Sequence, residues 1–156
     1  MPRTDYYNDP NAPTANAIVS AAVAFVQDSD GRVLLVRRSD NGLWALPGGG
    51  HEIGETIAAC AERETFEETG YQVRVTGLIG VYSDPAHVIA YDNGEIRQEF
   101  ALSFRAKLVT GQAETSSETP GVAWAARADL DNYPMQPWIR IRIDHGFEDR
   151  DQPYIG

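Results

Sequence analysis

GGGHEIGETIAACAERETFEETGY, residues Gly48–Tyr71, joins a run of glycines to a segment with strong helical signals. Thr56 can accept a hydrogen bond from the first free amides of a helix, and Gly70 can take the left-handed conformation that closes one. Several alanines lie between them, and alanine has the highest intrinsic helix propensity. The sequence therefore predicts a helix that begins after Thr56, ends at Gly70 and is entered from a glycine loop.

Three glutamates of this segment, Glu64, Glu67 and Glu68, fall within about 100° of one side of the predicted helix. Glu64 and Glu68 are four residues apart, where like charges on a helix repel each other. A solvated charged face is one explanation for the grouping. Others are protonation of one carboxyl, an ion pair between Arg63 and Glu67, or a divalent cation such as Mg²⁺ or Mn²⁺, which prefers carboxylate oxygens.

The spacing of the charged residues is more specific than their number. From Gly49 to Gly70 it follows the pattern G-x5-E-x7-R-E-x2-E-E-x-G, which resembles the signature box of the Nudix hydrolases. Thr65 is the one departure, because the family usually has a bulky aliphatic residue there. Similarity to the family covers most of Ala17–Leu130.

The resemblance implies an α/β fold, specifically a Nudix-type α/β/α sandwich with a mixed β-sheet. It also implies roles for the residues of the box. Glu67 and Glu68 would bind a divalent metal, Mg²⁺ or Mn²⁺, with the backbone carbonyl of Gly49 as a further ligand. Glu64 would be a ligand or the base for the attacking water, and Arg63 would orient the glutamates by ion pairing.

A later glutamate often completes the site in this family. Glu118, in SSETPGVAW before Trp124, is the main candidate, and Glu95 and Glu99 are weaker ones. Aromatic and basic side chains near the expected cleft could stack on a base or pair with phosphates. The residues in segments near that cleft are Arg37, Arg38, Trp44, Tyr82, Asp84, His87, Tyr91 and Arg97, of which Arg37, Trp44, Tyr82 and His87 are the substrate-binding candidates that we select.

Most of the remaining chain has strand character. Residues 1–16 are rich in Pro, Asn and Asp and predict a flexible arm, followed by a single domain over residues 17–156. Asp30-Gly31 between two apolar runs predicts a β-hairpin, and LWALPGGG predicts a short strand halted by its proline and glycines. Further strands are expected at residues 71–83, 97–109 and 121–125, and a helix at 138–150.

Composition limits the partners of the chain. Its 156 residues carry a formal net charge of -10, which argues against stable binding to nucleic acid or to an anionic membrane. The single cysteine, Cys60, excludes an internal disulfide, and the first residues lack the pattern of a signal peptide. A cytoplasmic location is therefore expected, and the family resemblance makes a homodimer plausible.

The resulting hypothesis is a divalent-metal-dependent pyrophosphohydrolase. It would cleave a nucleoside diphosphate linked to a further group, with water attacking a phosphorus of the pyrophosphate. ADP-ribose, nucleotide sugars and oxidised nucleoside triphosphates all remain open as substrates. The alternative is a catalytically inactive module of the same fold that binds nucleotides.

Overall fold

The computed structural model describes residues 3–109 and 121–156. Within them the chain forms ten strands, two α-helices and one 3₁₀-helix. The strands are β1 (Arg3–Tyr7), β2 (Ala17–Val26), β3 (Val33–Arg37), β4 (Trp44–Ala45), β5 (Gly48–Gly50), β6 (Val73–Tyr82), β7 (His87–Tyr91), β8 (Ile96–Leu108), β9 (Val122–Ala125) and β10 (Tyr154–Ile155). The helices are α1 (Ile57–Thr69), the 3₁₀-helix (Arg127–Asn132) and α2 (Pro137–Glu148).

A large mixed sheet is built around β8. One edge of β8 runs parallel to β2, from Ala17 opposite Arg97 to Val26 opposite Ala106. Its other edge pairs antiparallel with β6 and β7. The sheet extends further through β5 beside β2, β1 beside β7 and β10 beside β6, while β4, β3 and β9 form a smaller sheet.

Helices cover both faces of the large sheet. Successive side chains of β2 point to opposite faces, so Phe25 packs with Ile143 of α2 in one core and Ala24 packs with Cys60 of α1 in the other. Phe25 is fully buried, which stabilises the fold by on the order of 2 kcal/mol. The predicted α/β/α sandwich with a mixed sheet is confirmed.

Helix α1 has the ends that the sequence predicts. The Thr56 hydroxyl accepts a hydrogen bond from the Ala59 amide at 3.1 Å, and Gly70 has a φ of 78° at the C-cap. Thr65, the departure from the family pattern, is fully buried. Its hydroxyl donates to the Ala61 carbonyl at 2.7 Å. The polar atom of this buried side chain is therefore satisfied within the helix.

The flexible arm predicted for residues 1–16 is wrong for residues 3–7, which form β1 at the edge of the large sheet. β1 pairs antiparallel with β7 over its whole length, and the Tyr7 ring lies 5.2 Å from that of Trp138 on α2. The prediction failed because β7 was itself not recognised as a strand. The stabilising contacts of β1 also come from residues far along the chain.

The hairpin predicted at Asp30-Gly31 is also wrong. Gly31 does make a turn, with a φ of 78°, but β2 and β3 then enter different sheets. One isolated antiparallel bridge joins Gln27, just after β2, to Val33. The glycines predicted to halt a strand form β5 instead, paired with β2. The strands expected at 71–83, 97–109 and 121–125 and the helix at 138–150 are confirmed as β6, β8, β9 and α2.

Candidate active site

The glycines of β5 allow the backbone to pass close to α1. A Cβ atom on Gly49 would lie 2.5 Å from the Glu64 carboxylate, and one on Gly48 would lie 2.3 Å from the Ala22 carbonyl oxygen. Real Cβ atoms do not approach other atoms this closely. The Gly48 amide also donates to the Glu68 carboxylate at 3.3 Å. β5 therefore sets the Gly49 backbone beside two glutamates of α1.

Arg63 lies among four carboxylates. Its Nε and Nη2 atoms donate to the two oxygens of Glu55 at 2.8 and 2.9 Å. Its Nη1 atom donates to Glu64 at 3.0 Å and to Glu67 at 3.2 Å, and Glu52 lies 3.8 Å away. The hydrogen bonds from Arg63 are the main cause that lowers the pKa of Glu55 to about 2. One guanidinium thus orients most of the acids of the box.

The carboxylates of Glu64 and Glu68 lie close to each other, beside the glycine strand β5. Part of the Glu68 side chain is exposed, yet its carboxylate is turned toward β5. Desolvation there, together with the neighbouring charge of Glu64, raises the pKa of Glu68 to about 7. A cation beside these two carboxylates would relieve the repulsion between them, and their hard oxygens suit Mg²⁺ or Mn²⁺.

The three predicted glutamate ligands do not converge on one point. Across residues 3–109 and 121–156, no three acidic, histidine or cysteine side chains are grouped closely enough to hold a metal ion. Glu67 is 56 % exposed and hydrogen-bonded to Arg63. The structure therefore brings together Glu64, Glu68 and the Gly49 backbone, and Glu67 would have to turn away from Arg63 to join them.

A cleft of about 120 Å³ runs from the glycine strand across the sheet face that carries Val19, Ala21 and Val23. Its basic lining residues are Arg3, Arg38, Arg97 and Arg142. The whole chain has 13 Lys and Arg residues against 23 Asp and Glu. Four of these 13 basic residues line one cleft, so an acidic protein presents cationic donors to a ligand beside the glycine strand.

The structure separates the four substrate-binding candidates into two pairs. Arg37 donates to the Gly42 carbonyl at 3.0 Å, and the Trp44 ring packs edge-on against Tyr133. Neither lines the cleft. Tyr82 and His87 line an adjoining cavity of about 60 Å³. This cavity and the cleft share Glu99, Trp138 and Arg142 as lining residues.

Tyr82 is held in place by aromatic neighbours. Its hydroxyl is 2.7 Å from Nδ1 of His145, and its ring stacks against Tyr154. Burial raises the pKa of Tyr82 to about 12, so the hydroxyl stays protonated.

Glu118, the predicted later glutamate, lies outside the described residues.

Sequence reasoning missed the contributions of α2 and β1 to the cleft. Arg142 of α2 is 4 % exposed and Arg3 belongs to β1. The spacing of Ile139 and Ile143 marks the face of α2 that meets the sheet. Arg142 lies next to that face in sequence, so the pattern could have placed it toward the sheet. No local pattern shows that β1 closes the same cleft.

Comparison with known proteins agrees with this geometry. The model of the NUDIX domain matches residues 17–145. The chain belongs to the Nudix family. It is 41% identical over 120 residues to a MutT-like protein of Streptomyces ambofaciens, which covers 76% of this chain and 71% of that protein. It is 42% identical over 79 residues to an ADP-ribose pyrophosphatase of Methanocaldococcus jannaschii, which covers 46% of this chain and 47% of that one.

A solved Nudix structure supports the fold. The Nudix hydrolase of Nitrosomonas europaea superposes with a TM-score of 0.66 over 88% of this chain and 93% of that chain, at 21% identity. The chain is a Nudix hydrolase, an enzyme that acts on phosphorus-containing anhydrides. None of the helices in the described ranges is both long enough and apolar enough to span a membrane.

Proposed function

We propose that this Nudix hydrolase is a Mg²⁺- or Mn²⁺-dependent pyrophosphohydrolase of small nucleotide-derived substrates. The observation that carries the proposal is the close placement of Glu64, Glu68 and the Gly49 backbone beside a cleft lined with arginines. An acidic chain can bind an anionic pyrophosphate when a divalent cation reverses the local charge.

Each residue of the box has a proposed role in hydrolysis. Glu67, after turning away from Arg63, would hold the metal together with Glu68 and the Gly49 carbonyl. The metal would supply charge neutralisation and a bound water of lowered pKa. Glu64 lies beside Glu68 and either completes this ligand set or accepts the proton of the attacking water. Arg63 fixes the orientation of the glutamates, and the arginines of the cleft position the substrate phosphates. Glu118 remains a proposed additional ligand or base.

The proposal is tested with a substrate panel. ADP-ribose, a dinucleoside polyphosphate and 8-oxo-dGTP are incubated with the enzyme and Mg²⁺, and the products are separated and quantified. We expect turnover of at least one compound and its loss when EDTA is added. Glu67→Gln and Glu68→Gln should each lower kcat by roughly a hundredfold or more. The control Glu148→Gln changes an exposed glutamate of α2 and should leave kcat unchanged.

Two results would contradict the proposal in different ways. Wild-type rates in both glutamate variants would show that the active site has been assigned wrongly. Tight nucleotide binding with Mg²⁺ present but no product after hours would favour the alternative, an inactive binding module. The rates with ADP-ribose and with 8-oxo-dGTP separate an ADP-ribose pyrophosphatase, the activity in the name of the Methanocaldococcus jannaschii relative, from an enzyme that removes oxidised nucleoside triphosphates.

Three further expectations are part of the proposal. They are a single domain that includes β1 as well as residues 17–156, a cytoplasmic location without stable nucleic-acid or membrane partners, and a homodimer. Light scattering of the purified chain measures the oligomeric state. β1 pairs within its own sheet, so a dimer would not need exchange of this strand between subunits.

A further inference from the structure

A polar cluster lies at the end of the cleft away from the glycine strand. Arg142 of α2 is 4 % exposed, and its Nη2 atom lies 3.9 Å from the Glu99 carboxylate, which is beyond hydrogen-bond distance. Its Nε atom has no hydrogen-bond partner among the described residues. Glu99 is also 3.9 Å from Nδ1 of His87, whose Nε2 atom lies 3.7 Å from Asp5 and makes no hydrogen bond within the same described ranges. The cluster thus contains two buried nitrogen atoms, Nε of Arg142 and Nε2 of His87, that make no hydrogen bond among the described residues, beside the carboxylate of Glu99.

Unpaired buried polar groups are costly, so their presence calls for an explanation. Arg142 is fixed by packing, because its guanidinium lies 4.9 Å from the centre of the Tyr82 ring. Glu99 is fixed by its place on the central strand β8, opposite Val19 of β2. Both side chains line the cleft that also contains Gly49. A rigid donor and a rigid acceptor therefore stand side by side in the proposed substrate site.

The position of the cluster suits the far end of a nucleotide. Glu99 is opposite Val19, whereas Gly49 is opposite Ala22 on the other edge of β2. Three residues along the sheet and two strands across it separate their Cα atoms by on the order of 14 Å. A nucleotide carries its base and its phosphates at opposite ends of a sugar. Phosphates beside Gly49 would thus place the base near Glu99 and Arg142.

We propose that Glu99 and Arg142 recognise the hydrogen-bonding edge of a guanine-type base of the substrate. This inference rests on the proposed function and adds a substrate class to it. Guanine presents two adjacent N–H donors, at N1 and N2, beside the carbonyl oxygen O6. The two oxygens of Glu99 accept from the N–H groups, and Arg142 donates to O6. Adenine presents a lone pair at N1, which faces the carboxylate unfavourably. Guanine and 8-oxoguanine share this edge.

The inference is tested by changing the enzyme and the base together. Turnover with Mg²⁺ is measured for the triphosphates of guanosine, of adenosine and of purine riboside, which has no exocyclic groups. The wild type should have a kcat/KM for guanosine triphosphate roughly tenfold to a hundredfold higher than for the other two triphosphates. Glu99→Gln should remove most of this preference by raising KM for guanosine triphosphate, and it should not raise KM for purine riboside triphosphate, whose N1 carries no N–H for Glu99 to accept.

A matched control separates recognition from general damage. Glu148→Gln makes the same change at an exposed glutamate of α2 that does not line the cleft. It should retain the preference for guanosine, and both variants should unfold at the wild-type temperature. Equal losses with all three substrates in Glu99→Gln would indicate a structural role for Glu99. A wild type without preference for guanosine would overturn the inference directly.

Binding measurements distinguish failure of this inference from failure of the proposed function. Calorimetry with analogues that carry a methylene bridge between the α- and β-phosphates measures affinity without hydrolysis. If nothing is hydrolysed but the guanosine analogue binds more tightly than the adenosine analogue, and Glu99→Gln removes the difference, base recognition stands and catalysis fails. If hydrolysis occurs but base identity affects neither affinity nor rate, catalysis stands and base recognition fails.

Discussion

The two ends of the cleft are constructed in different ways. At the glycine end, β5 and α1 contribute residues from one continuous segment, Gly48–Thr69, and Arg63 organises the acids by hydrogen bonds within it. At the far end, β1, β7, β8 and α2 bring together residues from four distant segments. Local sequence spacing thus positions the residues proposed for catalysis, whereas tertiary contacts position the residues that line the far end of the cleft.

The largest effect should follow from adding one methyl group at the glycine end. Gly49→Ala places a Cβ atom 2.5 Å from the Glu64 carboxylate, and the flexible side chain must move away. Because small displacements of a catalytic group are costly, kcat should fall about a hundredfold while the unfolding temperature changes little. Gly50→Ala is the matched control, since nothing lies within 4 Å of its added Cβ. Equal kcat values in the two variants would contradict the expectation that displacing Glu64 impairs catalysis.

Arg63→Lys should have the next largest effect. Lysine cannot reproduce the bidentate contact with Glu55 and still reach Glu64 and Glu67. We expect kcat to fall roughly tenfold, because the glutamates lose a fixed orientation. Arg140→Lys on α2 changes exposed ion pairs with Asp131 and Asp144 instead and should leave steady-state kinetics unaltered. Normal kcat in Arg63→Lys would assign Arg63 a purely structural role.

A change in the far wall should affect binding more than chemistry. The Tyr7 ring packs 5.2 Å from Trp138 and 5.6 Å from His87. Tyr7→Ala should raise KM by roughly threefold to tenfold through loss of these contacts, with kcat nearly unchanged. Tyr6 lies on the same strand with its side chain on the opposite face. The KM of the control variant Tyr6→Ala should therefore remain close to that of the wild type. Loss of kcat in Tyr7→Ala would remove the distinction between the two ends.

The smallest effect concerns pH. Burial lowers the pKa of His145 in the folded protein, so protons bind more tightly to the unfolded chain. The stability that depends on neutral His145 is therefore complete above about pH 6.5 and is lost as the pH falls below it. Thermal unfolding of the wild type and of His145→Asn between pH 8 and pH 5 measures this dependence. The wild type should lose more stability on acidification than the variant, and identical slopes would contradict the assignment.

The sequence was sufficient where contacts are local. The caps of α1 and most strands follow from short-range patterns of residue type, and the family resemblance of the box implies that Arg63 and Glu64 lie beside Gly49. It was insufficient where a partner lies far away in the chain. β1 has no independent signal, since its partner β7 supplies the hydrogen bonds that order it. Arg37 and Trp44 were chosen by residue type near the box, but neighbouring turns and core residues engage them instead.

The hydrogen bonds of Arg63 also bear on the order of assembly. In small zinc domains the metal ion is required for folding, because nothing else brings the ligands together. In this chain the guanidinium of Arg63, which is part of the protein, already neutralises part of the acidic cluster. Folding and metal loading can therefore be separate events. We expect the chain to remain folded when purified in a chelator and to regain activity as soon as the ion is supplied.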